Sequence, residues 1–175
     1  MDNTTLEHYL AHYCAATLLG EKSASLVSLP REECARIGLQ LREYNRQLGP
    51  KGLVFTLLCA CRRRLLLLVY RPAMLEQLGY PMEENLRAKL NRLQARFAEG
   101  GGFPHEIGLF LGYPPEDVLA FVATGGAGCK LCGYWKVYHN VEAARACFAR
   151  YDACRDRLCR AIAQGTTISQ LLCAA

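Results

Sequence analysis

The chain has 175 residues, 51% of them apolar, with 21 Lys and Arg against 16 Asp and Glu for a formal charge of +5. That length suits one domain able to bury roughly two-thirds of its unfolded surface, and the apolar share excludes intrinsic disorder. Ten cysteines are about 6% of the chain, below the roughly 8–10% of a short disulfide scaffold, and the small, dispersed positive charge is no nucleic-acid footprint.

From Thr5 to Leu19, the residues Leu6, Tyr9, Leu10, Tyr13 and Thr17 fall near helical spacing and Gly20 closes the segment, which predicts a helix. Ala24 to Leu29 is a short apolar run stopped by Pro30 and reads as a strand. Arg31, Glu32 and Glu33 open a second helix whose stripe is Cys34, Ile37, Leu41, Tyr44 and Leu48, ended by Gly49 and Pro50. Two runs rich in Val, Phe, Thr and Leu, Gly52 to Ala60 and Leu65 to Arg71, are joined around Arg62, Arg63 and Arg64 and predict a β-hairpin. Glu83 to Glu99 is an amphipathic helix on Leu86, Leu90, Leu93 and Phe97, stopped by Gly100, Gly101 and Gly102.

Two short helices follow, about Pro104 to Leu111 and Pro115 to Ala123. Gly133 to His139 alternates Tyr134, Lys136 and Tyr138 against Trp135 and Val137, so it reads as a half-exposed strand. Val141 to Gln164 is the last long helix, with Ala144, Cys147, Phe148, Tyr151, Cys154, Leu158 and Ile162 inward and Asp156 and Arg160 spaced to pair outside. The central order, strand, helix, hairpin, matches a split βαβ pattern. The expected class is α+β: a single domain over 1–175 with a small antiparallel sheet, ferredoxin-like but embellished, and several helices packed on one face.

The first ten residues, MDNTTLEHYL, lack the basic start of a secretory signal, and the apolar runs Leu53 to Cys61 and Leu65 to Tyr70 are far shorter than a membrane span. A cytoplasmic protein with free thiols and no membrane segment is expected. Sixteen of the 21 basic residues are Arg, which suits bidentate capture of carboxylate or phosphate; an Arg- and Ala-rich composition accounts for the bias as simply.

Leu78 to Leu86, LGYPMEENL, is echoed by Leu111 to Leu119, LGYPPEDVL. In each, Gly suits the left-handed position after one helix, and Pro with acids starts the next. Two copies make two similar corners and no solenoid. The second corner also has helix-turn-helix spacing, but its would-be recognition helix, EDVLAFVATGG, offers acids and apolar residues where base readout needs Arg, Lys, Asn or Gln. Nucleic acid is disfavoured as a partner.

The stretch GGGFPHEIG is the most function-like. Pro104 suits a first helical turn, and His105 and Glu106 follow where backbone N–H groups lack helical partners. The dipole there favours a neutral His105, fit to act as ligand, acid/base or donor, and favours Glu106 as an anion. The plainer alternative has Glu106 compensating the dipole and His105 bonding a nearby loop. Cys129 and Cys132 form a CxxC and Cys59 and Cys61 a CxC; together they number enough thiolates for a metal site, but the two strands fall at opposite edges of the expected sheet, about 14 Å apart. No phosphate-binding loop, dinucleotide fingerprint, nucleophile elbow or HExxH is present.

The run FPHEIGLFLGYP, followed by CGYWKVY and FARYDACR, resembles a bacterial family of unknown function marked by PHE and LGYP motifs. The resemblance extends over nearly the whole chain, from the Lys22 segment through LVYRP to the closing helix. It implies a single cytosolic domain, mostly from anaerobic Firmicutes, and shared residues at Pro104, His105, Glu106, Gly112, Tyr113, Pro114, Gly133, Tyr134, Trp135, Lys136 and Tyr138, with Cys154 later. It implies no substrate or cofactor, and CKLC lies outside its motifs.

The leading expectation is therefore a small-molecule-binding or catalytic domain with a site around His105, Glu106 and the GYWKVY strand. His105 serves as acid/base or ligand and Glu106 orients; Lys136 and Arg71 receive an anionic group, and Tyr113, Tyr134 and Tyr138 complete the ligand-binding set. Two alternatives of other classes stand beside it: a metal-binding or redox accessory protein using some of the ten thiols, with Cys129 and Cys132 as candidates, and a helix-turn-helix-like or protein-interaction module without catalysis. The sequence specifies neither a cofactor nor an oligomeric state.

Overall fold

Three strands, β1 (Ala24–Pro30), β2 (Val54–Ala60) and β3 (Arg64–Tyr70), form an antiparallel sheet in the computed structural model of the chain, which describes residues 3–31, 37–60, 64–77, 86–98 and 107–173. Around it lie α1 (Asn3–Tyr13), α2 (Ala15–Leu18), α3 (Ile37–Leu48), α4 (Pro72–Gln77), α5 (Leu86–Ala98), α6 (Ile107–Phe110), α7 (Pro115–Thr124), α8 (Val141–Ala163) and α9 (Ile168–Cys173). A separate two-stranded ribbon pairs β4 (Leu131–Cys132) with β5 (Lys136–Val137).

The spatial order is β1-β3-β2, with Ala24 to Pro30 paired against Tyr70 to Arg64 on one side and Val54 to Ala60 on the other. β1 and β2 both run antiparallel to β3, so they are parallel to each other with β3 inserted between them, the split βαβ arrangement the order implied. A register shift between Leu57 and Cys59 bulges the edge strand β2.

The expected layering is corrected: helices cover both faces of the sheet. Val27, Leu29, Phe55, Leu65, Leu67 and Val69 join one apolar cluster with Leu6, Leu10, Ile37, Leu41, Leu158 and Ile162 of α1, α3 and α8. Ala24, Leu58, Leu68 and Tyr70 point the other way, into Leu75 of α4, Leu90 of α5 and Ile107 and Phe110 of α6. The sequence LLLLVY of β3 carries the reason, since a strand apolar at every position has two faces to bury.

The expected fourth sheet strand is corrected too. Only Lys136 and Val137 of the predicted Gly133–His139 segment are strand, and they pair back on Cys132 and Leu131. The chain turns at Gly133, whose N–H donates to the Trp135 carbonyl (3.1 Å), and the N–H groups of Tyr138 and His139 are taken by the Asp117 carboxylate. Two short helices, α4 and α9, carry too few residues for a periodic signal. The N-terminus of α9 is held by buried Glu7, whose carboxylate accepts the Ile168 N–H at 2.7 Å and the Tyr44 hydroxyl at 2.5 Å. Burial, then Glu7, pushes the Tyr44 phenol well above its ordinary value. On α8 the expected stripe holds, although Arg160 Nε donates to the Asp156 backbone carbonyl (3.1 Å). No helix among the described residues is long and apolar enough to cross a membrane.

Candidate functional site

The LGYPPED corner builds one wall of the site. Gly112 lies in the left-handed region, φ +75°, and a Cβ there would stand 2.8 Å from Ser23 Oγ. That hydroxyl donates to the Phe110 carbonyl at 3.1 Å, so the corner is keyed to the residues just ahead of β1. Gly112→Ala meets both a strained backbone and a buried neighbour, and we expect it to lower the unfolding free energy by about 2 kcal/mol in urea titration.

The first turn of α7 then carries the residue that fixes the other wall. Asp117 is 3% exposed. Its Oδ2 accepts the Trp135 indole N–H at 2.8 Å, and its Oδ1 accepts the backbone N–H groups of Tyr138 (2.9 Å) and His139 (3.0 Å) and stands 3.2 Å from His139 Nδ1. Burial alone would push this carboxyl up; the donors from Tyr138, Trp135 and His139 outweigh it and hold the group below its ordinary value. One carboxylate thus ends β5 and clasps the ribbon to α7.

Held there, Trp135 stacks on Tyr113, with centroids 5.3 Å apart and planes at 29°, and meets Phe148 of α8 edge-on at 4.6 Å. Gly133 leaves room for the same Phe148 ring, which a Cβ there would strike. Between corner and ribbon lies a cavity of about 610 Å³, walled largely by Ile107, Leu111, Val118 and Phe121, with Trp135 and Lys136 closing the ribbon side. The volume is that of a small-molecule site and the lining is chiefly apolar.

Of the expected ligand-binding residues, Tyr113 and Lys136 line this cavity. Lys136 Nζ donates to the Gly126 carbonyl at 2.6 Å and lies 5.8 Å from the Phe121 ring. The other three stand elsewhere. Arg71 donates to the Thr17 and Leu18 carbonyls (both 2.7 Å) and to Lys51 O (3.2 Å), so its guanidinium closes the end of α2. Tyr134 packs on Phe148 and Tyr151 and donates to Asp152 at 2.9 Å; burial, then Asp152, pushes its phenol up to about 12. Tyr138 is buried, its hydroxyl oxygen accepting from Thr124 Oγ1 at 3.3 Å.

His105 and Glu106 lie outside the described residues, as does the first LGYP copy, but the next residue in the chain, Ile107, lines the cavity. Cys132 lines it as well, on the strand position opposite Lys136. Cys129 and Cys132 are free thiols, and among the described residues no group of three or more His, Cys, Asp or Glu side chains is placed to hold a metal ion. Because β4 and β5 are outside the main sheet, the edge-to-edge separation expected between the CxxC and the CxC does not apply; Cys61 lies outside the described residues.

A family model described as a protein of unknown function (DUF3793) matches residues 10–172. The chain belongs to this family. No curated protein and no solved structure matches the chain. The DUF3793 match takes in every cavity residue from Leu26 to Lys136.

Two residues, Asp117 in the site and Lys22 behind its Tyr113 wall, carried no functional reading in the sequence. Asp117 looked like an acid at a helix start; its signal is that it shares the inward stripe of α7 with Phe121, four residues on. Lys22 sits between Gly20 and β1 with nothing local to mark it, yet it is 7% exposed. Its amine lies 5.2 Å from the Tyr113 ring and 5.8 Å from the Tyr151 ring, and burial pushes it down from 10.5 to about 8, with the Cys14 and Cys147 thiols as its electrostatic neighbours.

Proposed function

We propose that this DUF3793 protein is a cytosolic binding domain for a small molecule with a flat apolar body and one anionic group, held between the α6–α7 corner and the ribbon. The observation that carries the reading is the 610 Å³ cavity, apolar on most of its wall and bordered by the Lys136 ammonium. An ammonium has three N–H donors and Gly126 takes one, leaving charge and donors for a carboxylate, sulfonate or phosphate. The stacked Tyr113 and Trp135 rings supply an aromatic wall for the apolar body.

The single tryptophan of the chain is in this wall, so its emission reports occupancy directly. Titration with anilinonaphthalene sulfonate, a flat apolar anion, is expected to quench Trp135 saturably. Lys136→Met is expected to weaken that probe about tenfold, the size of one charge-assisted hydrogen bond, and to leave a neutral naphthalene unaffected. Emission that is unchanged or drifts without saturating would overturn the reading.

A catalytic version has His105 as acid/base and Glu106 orienting it, and it is favoured by the chain entering the cavity wall at Ile107, the next residue. In that version His105→Gln changes the pH dependence of probe affinity around neutrality, whereas a purely structural His105 leaves the profile unmoved.

A further inference from the structure

Lys22 is a largely buried lysine, 7% exposed, with no ion pair among the described residues. Among the described residues its nitrogen makes no hydrogen bond and meets no carboxylate; its neighbours are the faces of Tyr113 and Tyr151 and the Cys14 and Cys147 thiols. Buried lysines are ordinarily ion-paired or reach their heads back to water, and only 7% of this residue reaches water. A lysine buried without an ion pair, one ring away from a cavity, is a candidate for chemistry.

The link to the cavity is Tyr113. One half-buried ring stacks on Trp135 at the cavity wall and lies 5.2 Å from the Lys22 amine, and the backbone that carries it is keyed to Ser23, the neighbour of Lys22. Resting on the cavity reading above, we propose that Lys22 captures a small apolar or aromatic aldehyde or ketone as an imine, with rotation of the Tyr113 side chain joining amine and cavity. The neutral amine nitrogen attacks the carbonyl carbon and the π pair goes to oxygen. Both amine hydrogens leave with that oxygen as water, and the nitrogen lone pair closes the C=N bond; nothing is oxidised or reduced.

The surroundings suit each stage. Burial lowers the amine's proton affinity to about 8, so near pH 7.5 its neutral fraction is roughly two hundred times that of an ordinary lysine. Burial also pushes the Tyr113 phenol up to about 12 and raises Tyr151, keeping both as proton donors for the departing hydroxyl. The Tyr113 and Tyr151 rings beside the nitrogen limit the water that would hydrolyse the imine.

The full chain is incubated near pH 7.5 with benzaldehyde and sodium cyanoborohydride, and the reduced adducts are mapped by peptide mass spectrometry. The expected result is one dominant adduct at Lys22, formed at least about tenfold faster than at exposed Lys51 or Lys130, absent in a cooperatively melting Lys22→Met chain, and slowed several-fold by anilinonaphthalene sulfonate. Labelling of the surface lysines with Lys22 untouched, in protein that still quenches Trp135 with the sulfonate, overturns the imine and leaves the cavity reading standing. Fast Lys22 labelling that the sulfonate does not slow overturns the route through the cavity. Loss of both signals removes both readings.

Discussion

Replacing Asp117 by alanine is expected to lower stability by about 4 kcal/mol and to open the cavity, seen as a lower urea midpoint together with red-shifted Trp135 emission. The substitution orphans the Trp135 indole and the Tyr138 and His139 backbone donors in one step. A buried donor left without its charged acceptor costs about 1–3 kcal/mol, and water reaching the less buried Trp135 and His139 keeps the total below the sum. Asp117→Asn separates charge from shape: its oxygen retains the two backbone donors, but its amide faces the indole N–H, and about 2 kcal/mol is the expected loss. The pH dependence has a fixed sign. The folded carboxyl is held below its ordinary value, so the unfolded chain takes up the proton first as pH falls. The clasp's contribution is complete above the unfolded value of about 3.9 and is lost as pH drops through the folded one. The asparagine variant therefore has a flatter acid limb than the wild type. An alanine variant with an unmoved midpoint would mean that the ribbon is held by its rings alone.

Much of the fold was legible because periodicity reports burial. The stripe on α8, the hairpin of β2 and β3 and the corner at Gly112 all follow from local spacing, and each is present. What spacing cannot report is which face of an element meets a second layer. The four leucines of β3 hinted at two buried faces, but an antiparallel reading led to one. The GYWKVY segment failed as a long strand for a related reason: its alternation is real, yet Asp117, remote in sequence, takes the N–H groups of Tyr138 and His139 that a longer ladder needs. The site was half legible. Tyr113 and Lys136 stood out by type and reach the cavity, whereas Arg71 stood out equally and closes a helix. Asp117 and Lys22 draw their roles from partners 18 or more residues away, Trp135 for one and Tyr113 for the other, and no local pattern encodes such a pairing.

Replacing Lys22 by methionine is expected to stabilise the folded chain at neutral pH by about 2 kcal/mol. Two opposing effects set the size. Folding takes the amine from its ordinary 10.5 to about 8, and at 1.36 kcal/mol per unit that burial costs about 3 kcal/mol wherever both states carry the proton. The faces of Tyr113 and Tyr151 return about 1 kcal/mol as cation–π attraction, which the thioether forfeits, so desolvation wins. Methionine keeps the length and packing of the stem. Because the folded value lies below the unfolded one, the cost is fully in force below about pH 8, shrinks as pH rises toward 10.5 and vanishes above it. The variant's advantage in urea titration is thus expected to fall by about 1 kcal/mol between pH 7 and pH 9. Comparing the two chains at each pH cancels most of the contribution of Cys14, whose thiol burial pushes up to about 12 and whose own loss of stability begins near 9. A methionine chain that gains stability while losing the benzaldehyde adduct would make the unpaired amine a cost retained for chemistry. One that loses stability at neutral pH would mean that the amine is paired when folded, and the neutral base on which imine capture depends would be gone.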